Sequence, residues 1–118
     1  MIQIDFEMGM IEAAKEVFPE VTIRGCLFHF SQCLFRHVQS IGLTNMFKNS
    51  LSFRLMFNRI KALPLLDINL IDEVMEIIMS SYQHESSLVQ QFLTYVENTW
   101  TGPDSKFPRS MVCNYIYF

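Results

Sequence analysis

Val21-Thr22-Ile23-Arg24-Gly25-Cys26-Leu27-Phe28-His29 is the stretch on which the fold turns. Three β-branched residues in a row suit a buried strand better than a helix. Gly25 then breaks the strand, and Leu27, Phe30, Leu34, Val38 and Ile41 recur at helical spacing until Gly42. Upstream, Met1–Ile4 reads as a second short strand, with Ile2 and Ile4 alternating about Gln3. Residues 7–18 read as a helix that carries Met10, Ala13, Ala14 and Val17 and stops at Pro19. Strand, helix, strand, helix is thus the expected order of the first 42 residues.

Everything after that point reads as helix. Phe53, Met56, Phe57 and Ile60 mark one segment, closed by Pro64. Asp67 to Tyr82 forms another, with Ile71, Val74, Met75, Ile78 and Tyr82 as its apolar stripe and Asp67 or Asn69 as its cap. Ser86 to Thr99 forms the last, sharing Leu88, Phe92, Tyr95 and Val96 on one face. Thr101-Gly102-Pro103-Asp104-Ser105 is a turn-rich linker, and Met111 to Phe118 is an apolar, aromatic tail. Two short strands cannot cover each other's edges. The rest of their sheet is expected from outside the chain.

Half of the 118 residues are apolar, enough for one domain with a real core. No stretch has the apolar length of a membrane span, and the acidic start is unlike a signal peptide. A soluble intracellular protein is expected. Three cysteines without regular spacing make no disulfide framework. The net charge of −3 conceals a segregation. Residues 21–66 contain no acid, while Arg24, Arg36, Lys48, Arg54, Arg59 and Lys61 give that stretch six positive charges. Such a block is either a set of solvated helix faces or a local surface that meets phosphates.

Two constellations could carry chemistry. Asp5 stands just past the first strand, where a carboxylate is fixed by the strand yet open to substrate; a turn or cap role is the simpler alternative. Cys26, His29, Cys33 and His37 bear the ligand types that zinc prefers. Along one helix, however, His29 and His37 lie about 12 Å apart, so they cannot share an ion. A Walker or Rossmann phosphate loop is excluded by the four scattered glycines.

Ile4-Asp5-Phe6-Glu7, Phe18-Pro19 and Gly25-Cys26-x-x-His29, with Gln32 and Arg36 through Ile41-Gly42-Leu43, together resemble the transposase domain of Mutator-like elements, in its animal branch that often carries FLYWCH-type zinc fingers. Tyr95-Val96-Glu97-Asn98-Thr99-Trp100-Thr101-Gly102 is similar to the helical insertion of that branch. The resemblance implies an α+β, predominantly helical fold: residues 1–42 as part of an RNase H-like core, 43–100 as an inserted helical bundle, and 101–118 as linker and truncated tail. It further implies that Asp5 is the second of three catalytic carboxylates binding Mg²⁺ or Mn²⁺. Paired ions of this kind clamp the attacking and leaving oxygens of a phosphodiester. Cys26 and His29 would support that centre or contact DNA, and the basic residues of 21–66 would meet the transposon ends. With no match to the other two carboxylates, the chain is expected to be inactive alone and to bind no metal tightly. Cys113-Asn114-Tyr115 also departs from the family's Trp-Asn-aromatic triplet. The implied compartment is the nucleus, with no membrane partner and with self-association open. The competing expectation is a non-catalytic, transposon-derived helical module that binds DNA or a protein partner.

Overall fold

The computed structural model describes residues 2–4, 12, 16–17, 23–25, 27–107 and 109. Its body is a bundle of helices. β1 (Ile2–Ile4) and β2 (Ile23–Gly25) run parallel, with Ile2 opposite Ile23 and Ile4 opposite Gly25. Then come α1 (Leu27–Ser40), α2 (Thr44–Asn49) and α3 (Leu51–Lys61). Two 3₁₀ turns, Leu63–Leu65 and Ile68–Leu70, lead into α4 (Ile71–Ser81). α5 (Ser87–Val96) continues without a break into a π-helical turn, Glu97–Thr101.

This architecture overturns the expected α+β fold with a partial RNase H-like core. The β1–β2 pair is two three-residue segments whose main contacts are with each other. It forms no sheet layer beneath the helices. The core of the described residues begins at Phe30 and ends at Phe107, and all its members come from helices and the turns joining them. The physical reason is simple. A β-branched triplet favours extended backbone locally, but a sheet needs several paired strands to bury a face, and here the apolar surface available for burial is helical.

Each helix is set by identifiable local chemistry. α1 ends in a Schellman motif: Leu43 N–H donates to Val38 C=O at 2.9 Å and Gly42 N–H to Gln39 C=O at 3.2 Å. Gly42 takes a φ of +85°, which only glycine adopts without strain. Val38 and Leu43, the residues this motif brings together, are both buried. Ser50 caps α3 by accepting from Phe53 N–H, and Ser86 caps α5 by accepting from Val89 N–H. Asp67 caps the turn before α4 rather than α4 itself, accepting from Asn69 N–H at 2.9 Å.

The core is aromatic at its centre. Phe92 of α5 lies 6.1 Å from both Phe53 and Phe57 of α3. Phe47 of α2 meets Phe57 edge-on at 5.2 Å and Phe35 of α1 at 5.1 Å. Edge-to-face pairs at these separations add to the burial term, which is about 25 cal/mol per Å² of apolar surface. Phe30, Leu34 and Val38 bring α1 into the same core. Tyr82 links the two ends of the central helices, its hydroxyl donating to Ser52 C=O at 3.3 Å.

Candidate functional site

Asp5 and Cys26, the two residues on which the catalytic expectation rests most heavily, lie outside the described residues. Arg24 sits in β2 with its side chain likewise outside them. Of the helix expected over 7–18, only Glu12, Glu16 and Val17 are described.

His29, Cys33 and His37 occupy successive turns of α1, all half-buried. His37 leaves this row chemically. Its imidazole stacks on Tyr95 of α5, with centroids 3.6 Å apart and planes 7° from parallel. Burial lowers its pKa from the usual 6.5, so the neutral ring is favoured. The Tyr95 hydroxyl accepts a hydrogen bond from Trp100 Nε1 at 3.1 Å. Its pKa is raised, chiefly by burial; the Trp100 hydrogen bond pulls it down and the neighbouring Cys33 thiol pushes it up. Trp100 in turn meets Phe30 edge-on at 5.0 Å and Phe107 in a stack at 4.8 Å. The polar atoms of α1 therefore enter an aromatic joint between α1 and α5. Among the described residues, no three His, Cys, Asp or Glu side chains are grouped so as to hold a metal ion.

The basic block divides into two kinds of residue. Arg54 is structural: its Nη1 donates to Lys48 C=O at 2.6 Å and to Phe47 C=O at 3.2 Å. Those are terminal carbonyls of α2, left without intrahelical donors, and a guanidinium satisfies both. Arg36 on α1, Lys48 at the end of α2, and Arg59 and Lys61 on α3 are exposed. Among the described residues the one ion pair is Arg109 with Asp72, which involves none of these four. Their charges face solvent. That is the arrangement a phosphate-binding surface requires, and sequence alone could not separate Arg54 from the rest because the separation depends on which helix end lies beside it.

A second polar region went unnoticed in the sequence. Where α4 passes the π turn, a cavity of about 300 Å³ opens between Asp72, Met75, Glu76 and Met79 on one side and Glu97 and Thr101 on the other. The Asp72/Glu76 and Met75/Met79 spacings of four were visible, but the π turn that completes the wall carries no periodic signal.

No helix among the described residues is long and apolar enough to cross a membrane. The chain matches no protein-family model, no curated protein and no solved structure.

Proposed function

We propose that the chain is a helical segment of a Mutator-like DNA transposase that contacts DNA and does not cleave it alone. The observation that carries this reading is the exposure of Arg36, Lys48, Arg59 and Lys61 on consecutive helices of one core, without an ion-pair partner among the described residues. The motifs around Asp5 and Cys26-x-x-His29 supply the family; the cations supply the contact. The partner on this reading is duplex DNA of transposon ends and the compartment is the nucleus. In the intact parent, Asp5 would offer one carboxylate to Mg²⁺ or Mn²⁺, which would activate the attacking oxygen.

Backbone neutralisation makes a quantitative test. Each phosphate contact contributes about −0.9 to the slope of log K against log salt on B-DNA. Fluorescence anisotropy with the 118-residue chain and a labelled duplex should give a salt-dependent affinity. Replacing Arg59 and Lys61 by Gln should flatten the slope by roughly 2. Absence of binding at low salt, or a slope indifferent to all four cations, would leave the non-catalytic protein-binding module as the better account.

A further inference from the structure

We infer that the face formed by α3 and α4 docks a second copy of this chain across a two-fold axis. Six large apolar side chains are exposed among the described residues. Five of them, Leu51, Leu55, Leu65, Leu70 and Ile77, come from these two helices and the turns that join them. Leu51 and Leu55 precede Arg59 at intervals of four, and Leu70 and Val74 precede Ile77 at helical spacing, so each set follows one side of its helix. Between those sides runs a groove of about 510 Å³, lined by Arg59, Ala62, Leu66, Val74 and Ile77. Ile77 in its wall is 59% exposed. Single exposed apolar residues are ordinary, whereas a set gathered beside a groove marks a contact surface.

The groove offers little to a small polar ligand. Its one hydroxyl, on Ser81, already donates to Ile77 C=O at 2.8 Å. Its one charged side chain is Arg59 on the α3 wall. Glu73 stands one turn before Ile77 on α4. Both Arg59 and Glu73 are exposed, and neither has an ion-pair partner among the described residues. One wall therefore carries a free cation and the other a free anion.

That distribution selects the occupant. A partner surface of a single sign would pair with one wall and repel the other. A second copy turned about a two-fold axis sets α3 of each protomer against α4 of the other. Arg59 of one then meets Glu73 of the partner subunit, and the pairing occurs twice, as an isologous interface requires. The size of the face sets the strength. α3 and α4 have 11 residues each. They are about 16 Å long and together roughly 20 Å wide, a footprint at the small end for a specific interface. The dimer is accordingly weak, forming at micromolar or higher chain concentration. Arg59 is also one of the cations offered to DNA, so duplex and second copy exclude each other at that residue. Self-association is measured without DNA and does not rest on the DNA reading.

The test is sedimentation equilibrium of the whole chain, from micromolar to millimolar concentration. The weight-average mass is expected to rise from that of one chain toward that of two and to level there. Ile77→Glu should weaken association at least tenfold, and Leu55→Glu makes the same test should that variant fail to fold. Arg59→Glu and Glu73→Arg should each weaken it at least threefold. The double exchange, Arg59→Glu with Glu73→Arg, should restore it to within twofold of the original. A chain that stays monomeric at millimolar concentration would overturn the inference and leave this face to a different partner. A dimer indifferent to both apolar variants, or single reversals that the double exchange does not rescue, would overturn it as well.

Discussion

His37 lies flat on Tyr95, with ring centroids 3.6 Å apart and planes within 7° of parallel. One ring comes from the last turn of α1 and the other from the last turn of α5. Helices that contact mainly through aliphatic side chains can slide. A pair of flat rings fixes both their separation and their rotation, and the Trp100 indole fixes the hydroxyl at the far edge.

The stack makes stability depend on pH. Burial lowers the pKa of His37 below its usual 6.5, so the folded state holds fewer protons than the unfolded state as pH falls through that range. Stability therefore rises with pH up to about the unfolded value and is lost as pH drops below it, levelling off beneath the folded pKa. Tyr95, the other ring of the stack, has its pKa raised by burial and stays protonated in that window. Urea midpoints between pH 5 and 8 should show the effect, and His37→Phe should flatten that part of the curve. An unchanged profile would mean that another group controls it.

Gly42 and Gly102 should respond differently to alanine. At Gly102 an added Cβ would lie 2.7 Å from the Glu97 carbonyl oxygen, a backbone atom that cannot swing aside. Gly102→Ala should cost about 2–3 kcal/mol and open the π turn, as seen in lost exchange protection at Gly102. At Gly42 nothing lies within 4 Å of the added carbon, so the cost is the positive φ alone. About 1–2 kcal/mol is expected there, with Gly42→Asn cheaper than Gly42→Ala. Equal losses for Asn and Ala would refute the backbone explanation.

Arg54 and Arg59 offer a contrast within one helix. Arg54→Ala removes the donor to two carbonyls of α2 and should lower stability by about 1–2 kcal/mol. Arg59→Ala removes an exposed side chain and should stay within about 0.5 kcal/mol. Denaturation midpoints of the two variants check this directly. If Arg59→Ala proved as damaging as Arg54→Ala, the division of the basic block would be wrong.

Phe92 is 0% exposed at the meeting point of α3 and α5. Truncation to alanine leaves Phe53, Phe57 and Tyr95 without their common neighbour, and should cost about 3–5 kcal/mol. Phe92→Leu should recover most of that. A loss below about 1 kcal/mol for the alanine variant would show that the cluster collapses around the gap.

The helical faces could be read from the sequence because burial repeats with the helix. Phe30/Leu34/Val38, Phe53/Met56/Phe57/Ile60 and Ile71/Met75/Ile78/Tyr82 follow that spacing and are buried, while Ile41 and Val74 of the same stripes are half-buried against the core. Three features escaped that logic. α2 is six residues long, too short for a period to show. The π turn widens the helix where the pattern expects regular α structure, and buries Thr101 beside Trp100. Phe107 enters the core from a turn, where no periodicity exists; its amide donates to Thr99 C=O at 2.9 Å. The α+β expectation failed for a different reason, since strand propensity at residues 21–23 is local whereas a sheet is a long-range structure. As for chemistry, spacing could raise a metal-like row on α1 but could not show that His37 turns toward an aromatic ring on another helix.

The Schellman turn at Gly42 has a kinetic side. Its two hydrogen bonds span four and six residues, and the turns after α3 and α4 are closed over equally short distances by Leu65 to Ala62, Leu66 to Leu63 and Glu85 to Tyr82. Consecutive helices are thus brought side by side with little loop-closure entropy to overcome. Helical bundles whose contacts are so largely local fold in roughly microseconds to milliseconds. The interval before burial, in which the phenylalanines of α2, α3 and α5 could find those of another chain, is correspondingly brief. For a core this rich in aromatic residues, rapid folding is itself a defence against aggregation.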